Sequence, residues 1–255
     1  MKLTEIVSYL DGLLRPENFS DDSNNGLQVE GHSEVRKVGF AVDACAQTFE
    51  MALDAGCDLL FCHHGISWGG GIPRFTGYHA TRLRLLLANG LSLYAMHLPL
   101  DAHPTLGNNA QLCNLVGLTA ERRNLFGMYH GQNIGFAGEL KAPLSCDELA
   151  ARLENVLLAK CRLFCLRDDL MIRRIAIVSG GGIEFVDEAV AAGCDTLLTG
   201  EMKHEYYHRL REQNFCVLAA GHYATETTGP FAVMHQMEQE FPQLECTFLN
   251  CPTGL

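Results

Sequence analysis

The chain carries one α/β pattern twice. Residues 35–62, VRKVGFAVDACAQTFEMALDAGCDLLFC, align without a gap on residues 172–199, IRRIAIVSGGGIEFVDEAVAAGCDTLLT. Seven positions are identical, namely Arg36/Arg173, Ala52/Ala189, Ala55/Ala192, Gly56/Gly193, Cys57/Cys194, Asp58/Asp195 and Leu60/Leu197, where average composition would give roughly two. Each copy reads as an apolar strand, a turn, a helix, Gly-Cys-Asp and a second apolar strand, with Gly56 and Gly193 placed as helix C-caps. The match resumes at a second offset, where NGLSLYAMHLPLD (89–101) meets NFCVLAAGHYATE (214–226). This pairs His97 with His222 and Asp101 with Glu226. The first copy holds twelve more residues between the two matches, in the Gly-rich stretch GISWGGGIPRFTG, which reads as an inserted loop.

Short apolar strands alternating with helices imply an α/β fold with largely parallel or mixed sheets. The duplication implies two similar α/β domains. The least patterned stretch lies around 118–135, which puts the boundary between a first repeat over 1–125, with His63, His64 and Asp101, and a second over 126–255, with His222 and Glu226. The N-terminus, MKLTEIVSYLDGLLRPENF, reads as an amphipathic helix with Leu3, Ile6, Val7, Leu10, Leu13 and Leu14 on one side. Glu5 and Asp11 interrupt its apolar run, so it does not read as a secretory signal.

Composition narrows the function classes. Hydrophobic residues make up 47% and charged residues 19% of the 255, an ordinary globular balance. The net charge is −11 and no Lys/Arg cluster appears, which argues against a nucleic-acid or anionic-membrane partner. No run of 18 apolar residues offers a membrane span. Eleven cysteines, an odd count with no signal peptide, fit a reducing, cytoplasmic compartment. Cys57, Cys62, Cys194 and Cys216 sit in apolar stretches and read as small buried hydrophobes. Cys161-x3-Cys165 and Cys246-x4-Cys251 have poor zinc-site spacing.

In α/β sheets ligands bind beyond the carboxyl ends of the strands. The residues just past the repeated strands are His63 and His64, then His97, Asp101 and His103, then Gly200 and Glu201, then His222 and Glu226. Imidazole with carboxylate suits first-row divalent metals. The His222-x3-Glu226 spacing puts both side chains on one face of a helical turn. Pro99 disfavours a helical Leu98, so His97 and Asp101 are expected on a loop. His130 reads as an isolated residue, and His204 and His208 as an exposed helical pair. Gly180, Gly181 and Gly182, between a strand and a helix, suit either a tight turn or an anion cradle.

The segments NNGLQVEG (24–31), HHG (63–65), HLPLDAHPTLGNNAQL (97–112), SGGG (179–182), TGE (199–201) and GHYATE (221–226) together resemble the NIF-three-like family, whose members are commonly labelled GTP cyclohydrolase I type 2 homologs. The resemblance runs from about residue 4 to 251. It implies two similar, interlaced α/β domains, a dinuclear metal centre and a ring-shaped homohexamer. Carried over position by position, the metal ligands are His63, His64, Asp101, His222 and Glu226. Glu226 bridges the ions, His64 and Asp101 complete one, and His63 and His222 complete the other. The ions would be iron, zinc, manganese or nickel. His97 matches a position close to the centre, and Tyr223 stands where bacterial relatives often have a second histidine. The activity implied is a metal-dependent hydrolysis of a small molecule, GTP being one candidate, with metal-bound hydroxide as nucleophile. His97 or His103 would then shuttle protons and the Gly180–Gly182 turn would hold a triphosphate. The contrasting reading is a non-enzymatic metal-binding scaffold or adaptor. Spare acid–base candidates at His97, His103 and Glu201 favour the enzyme.

Overall fold

The computed structural model describes residues 1–167 and 169–255. In chain order they form α1 (Leu3–Leu14), β1 (Gly26–Val29), β2 (Lys37–Asp43), α2 (Ala46–Asp54), β3 (Leu59–His64), α3 (Gly77–Asn89), β4 (Ser92–Ala95), α4 (Leu98–Ala102) and α5 (Asn108–Val116). There follow β5 (Arg123–Tyr129), β6 (Gln132–Ser145), α6 (Cys146–Leu157), β7 (Arg162–Phe164), β8 (Met171–Ile177), α7 (Val186–Ala191), β9 (Thr196–Thr199), α8 (Tyr207–Gln213), β10 (Cys216–Ala219), α9 (His222–Glu226), α10 (Thr228–Glu240) and β11 (Glu245–Phe248).

The chain divides into two compact units, 1–100 with 229–251 and 101–228 with 252–255. It therefore passes from one unit to the other three times, where the sequence suggested one linear boundary near 125. The reason is β11, which returns late in the chain to pair in parallel with β2, Cys246 opposite Val38. The stretch around 118–135 is not a linker. It holds the β5–β6 hairpin, turned at His130 and Gly131, both at positive φ (48° and 84°) as a two-residue hairpin turn requires. β5 has two adjacent exposed residues, Asn124 and Leu125. This breaks the alternation that would have marked it as a strand.

The repeat is structural. The first unit has the sheet order β1-β4-β3-β2-β11 and the second β5-β6-β8-β9-β10-β7. In each, three parallel strands of the repeat lie side by side (β2, β3, β4 and β8, β9, β10), with an antiparallel strand on the outer flank of the third. Val38 stands opposite Leu59 and Ile175 opposite Thr196, the same register at an offset of 137 residues. The Gly-Cys-Asp triplet has one job in both copies. Gly56 (φ 72°) and Gly193 (φ 70°) end the helices in the left-handed conformation. Cys57 and Cys194 are buried behind them. Asp58 Oδ2 then accepts the backbone N–H groups of Arg36 and Lys37 at 2.8 and 3.2 Å. Asp195 Oδ2 accepts those of Arg173 and Arg174 at 2.7 and 2.8 Å.

Each unit has its own core. Phe49, Leu60, Leu86 and Leu93 belong to the first and Leu112, Leu149, Ile175, Leu198 and Leu218 to the second, all fully buried or nearly so. Each such side chain contributes roughly 1.5–3 kcal/mol. α1 buries Leu3, Ile6, Leu10 and Leu14, the expected face with Val7 and Leu13 at its margin, and stops at Arg15 in the left-handed region before Pro16. No helix among the described residues is long and apolar enough to cross a membrane.

Candidate metal centre

The first unit gathers three imidazoles. His63 and His64 are the last two residues of β3, and His97 follows β4. Ring nitrogens of the three lie within 4.8 Å of one another. Each ring is held through Nδ1. His63, fully buried, has Nδ1 3.0 Å from the Met96 carbonyl oxygen. His64 Nδ1 lies 2.8 Å from Asp43 Oδ1, and His97 Nδ1 lies 2.9 Å from Asp21 Oδ1. Carbonyl and carboxylate oxygens only accept, so Nδ1 carries a proton in each ring, and in the neutral ring that binds a metal Nε2 is the nitrogen with the lone pair. An imidazole whose second nitrogen donates to a carboxylate or carbonyl is the usual form of a metal-ligating histidine. The donor set therefore fits a cation.

A polar scaffold fixes these rings. Asn25 Oδ1 accepts the His97 N–H (2.8 Å), and Asn25 Nδ2 donates to Asp21 Oδ2 (2.9 Å). The Gln28 side chain ties down the loop after His64 by accepting the N–H of Ile66 and Ser67 (2.8 and 3.1 Å). Burial alone would raise the Asp21 carboxyl, but the His97 hydrogen bond and charge, with Asn25 and the Ser23 N–H, hold it down at about 2.

The second unit has its own group of carboxylates beside His222. Asp101 lies in α4 rather than on a loop, because Pro99 occupies the first turn, where its missing N–H would have had no intrahelical partner. Asp101 is buried, and its Oδ1 accepts from Asn108 Nδ2 (2.9 Å) and Ser179 Oγ (3.0 Å). Asn109, also buried, donates to the Ile134 carbonyl (2.7 Å) and accepts the Ser179 N–H (2.7 Å). Buried carboxylates are rare unless paired with cations or metals. His222 and Glu226 open and close α9, with Nε2 and Oε1 3.2 Å apart, on one face as the spacing predicts. Glu226 is buried, and Glu201 Oε2 lies 3.5 Å from His222 Nδ1 on the other side of the ring. The hydrogen bond to Glu226 outweighs burial, and with the charges of Glu226 and Glu201 it pushes His222 up to about 9. A cation entering here displaces that proton.

Gly180, at φ 57°, lets α9 approach, since a Cβ there would meet Glu226 Oε1 and lie 3.1 Å from His222 Nε2. A Cβ on Gly200 would lie 2.7 Å from His222 Cα. The Gly180 N–H is already donated to Thr225 Oγ1 (3.0 Å), so an anion cradle in this turn would rest on Gly181 and Gly182. His103 Nδ1 accepts the N–H of Leu106 (3.0 Å) in the turn before α5. His204 and His208 are exposed, as expected. Tyr223 is buried in α9.

Sequence reasoning missed Asp21, Asp43, Asn25 and Ser179. For Asp43 a signal existed, because it ends β2 at the position where the second copy has Gly180. The two copies diverge where one needs a carboxylate to hold a histidine and the other needs room.

Fold and donor sets together define a mixed α/β protein of two sheets with histidine and carboxylate groups able to hold a metal ion. A family model, Duf34/NIF3 (NGG1p interacting factor 3), matches residues 1–253, and the chain belongs to this family. It is 45% identical to a GTP cyclohydrolase 1 type 2 homolog of Pyrococcus horikoshii, with 100% of both chains covered. It is 38% identical to one of Escherichia coli (strain K12), with 99% of both covered. Among solved structures, a protein ybgI described as of unknown function superimposes with TM-score 0.89 at 37% identity over 100% of both chains. Reduced HcgD from Methanocaldococcus jannaschii superimposes with TM-score 0.84 at 25% identity over 98% of both.

Proposed function

We propose that the chain is a metal-dependent hydrolase of a small molecule, a nucleotide being the favoured class, and that His63, His64, Asp101, His222 and Glu226 hold two divalent ions. The observation that carries it is the anchoring of His63, His64 and His97 through Nδ1, each to a carbonyl or carboxylate acceptor. Such anchoring preorganises neutral imidazoles for a cation. In the proposal Glu226 is shared between the ions, His64 and Asp101 belong to one, and His63 and His222 to the other. This division rests on the family resemblance. Iron, zinc, manganese and nickel all suit the donors.

When bound, divalent ions polarise a substrate oxygen and acidify a water, the chemistry hydrolysis needs. The chain's own groups do the rest. Asn108 and Ser179 fix the Asp101 carboxylate through its Oδ1. Asp21 fixes the His97 ring with the proton on Nδ1, leaving Nε2 to take up or release a proton at the substrate. Glu201 orients His222 from behind. A cytoplasmic homohexamer completes the proposal, the ring carried by the resemblance and the compartment by the cysteine count. Sedimentation at about six times the 28.1 kDa chain mass would support it, and a monomer at micromolar concentration would overturn it.

The test reconstitutes chelator-treated protein with each ion, counts metal per chain, and measures release of formate from GTP and hydrolysis across a nucleotide and cyclic-amide panel. Turnover that requires metal and is lost in Asp101→Asn supports the hydrolase. Two ions per chain with no turnover of any panel member overturns it in favour of a metal-binding scaffold.

A further inference from the structure

Within the second unit, the parallel strands β8, β9 and β10 run toward Gly180, Glu201 and His222 at their carboxyl ends. At the opposite end of β10 lies a separate cluster of sulfurs. Cys216 is the first residue of β10, and Cys165 directly follows β7. The antiparallel register of these strands sets Phe164 opposite Val217, so Cys165 and Cys216 face each other across the ladder, with Cα atoms 4.4 Å apart. A disulfide joins them, where the apolar context in the sequence gave Cys216 only a packing role. Cys146, the first residue of α6, brings a third sulfur, and the three sulfurs lie within 4.8 Å of one another.

The three differ in access. Cys216 is fully buried and Cys146 is nearly so. Cys165 is half-buried and lines a cleft of about 130 Å³, whose other walls include Phe164, Tyr207, Leu210, Arg211 and Phe215. Cys216 is not on that wall. A small molecule in the cleft thus meets the disulfide from one side only.

We propose that this is a thiol–disulfide exchange site for small thiols and their disulfides, with Cys165 as the sulfur attacked and Cys146 as an internal thiol able to replace Cys216. An incoming thiolate forms a bond to Cys165 Sγ, the Cys165–Cys216 bond breaks, and its electron pair leaves on Cys216 Sγ, which takes a proton. Two routes follow. A second small thiolate attacks the sulfur of the first, so two small thiols have delivered two electrons, leaving the protein dithiol and a small disulfide. In the other, the Cys146 thiolate attacks Cys165 Sγ, expels the small thiolate, and leaves a Cys146–Cys165 disulfide with no net oxidation. The small disulfide runs the first route backward. A thiolate attacks a disulfide only where it can reach the sulfur, and the cleft gives that access to Cys165 alone of the pair. The consequence is local, since the bond staples the three-residue edge strand β7 to β10.

Glutathione, reduced and oxidised, is the probe, with full-length protein, alkylation of free thiols and peptide mapping. Trypsin separates Cys161 from Cys165 at Arg162, and chymotrypsin separates Cys216 from Cys246 and Cys251 at Tyr223 and Phe231. Wild-type protein in oxidised glutathione should show Cys165 linked to Cys216 with the other cysteines alkylated. After reduction, the folded chain should lose Cys165 to alkylation before Cys216. Cys216→Ser should convert to a Cys146–Cys165 link, and the double variant Cys146→Ser/Cys216→Ser should keep glutathione on Cys165. Free Cys165 and Cys216 in oxidised wild type would overturn the proposal. So would glutathione spread without preference for Cys165 in the double variant. If the variants do not fold, the wild-type map and its order of alkylation decide.

Discussion

His64 Nδ1 lies 2.8 Å from Asp43 Oδ1, so the end of β2 fixes the tautomer and the plane of a candidate ligand at the end of the neighbouring β3. Partners of this kind typically govern metal affinity by 10–100-fold. Asp43→Asn should therefore weaken binding of the ion proposed for His64 about 10-fold, and Asp43→Ala more. Competition with a chromophoric chelator measures it. Unchanged affinity in both would mean that the carboxylate serves only the metal-free chain.

Much of the fold was legible because duplication reports on itself. Gly56 and Gly193, and Asp58 and Asp195, recur because a left-handed helix end and a carboxylate receiving two strand N–H groups are needed in both copies. His63, His64, His97 and His222 were legible as candidates because they lie at or just past the carboxyl ends of strands. Their supports were not, since Asp21 meets His97 across 76 residues and Ser179 meets Asp101 across 78, and no periodicity encodes such a pairing. The β5–β6 hairpin escaped because an exposed edge strand does not alternate. The units were misdivided because β11 pairs with β2 from the far end of the chain, a long-range choice that local pattern does not carry.

Gly180→Ala tests the divergence of the copies. The new methyl would sit at φ 57° and against Glu226 Oε1. The backbone strain costs on the order of 1–3 kcal/mol, and the carboxylate must move. Both stability and metal content per chain should fall. Loss of stability with full metal content would show that Glu226 can shift without ceasing to ligate.

Acid should weaken the metal-free first unit in a defined window. The Asp21 carboxyl, held at about 2 against an ordinary 3.8, favours the folded state when ionised. The stabilisation is present above pH 3.8 and is lost as pH falls toward 2. It amounts to about 2 kcal/mol for a side chain this buried. In urea titrations Asp21→Asn should cost about that much at pH 6, and its difference from wild type should shrink steadily below pH 4. A difference independent of pH would assign the loss to packing.

Glu226 offers the sharpest test of the proposed two-ion assignment. The side chain is buried in α9, and its Oε1 lies 3.2 Å from His222 Nε2. If its carboxylate is shared by two ions, Glu226→Ala removes a ligand from each and leaves two cations close together without the negative charge between them. The loss should then be cooperative, with elemental analysis falling from two ions per chain toward none. In the proposed assignment His64→Ala removes a ligand from one ion only, so it should lower the content by about one ion and leave the other exchanging slowly. Glu226→Gln separates charge from shape, because it keeps one acceptor oxygen and the side-chain volume while losing the charge. It should resemble Glu226→Ala in metal content, while the metal-free state loses the stabilisation that the charged His222–Glu226 pair gives it below about pH 9. Near-wild-type occupancy in Glu226→Ala would end the bridging assignment, and equal losses in Glu226→Ala and His64→Ala would point to a single ion held by both residues.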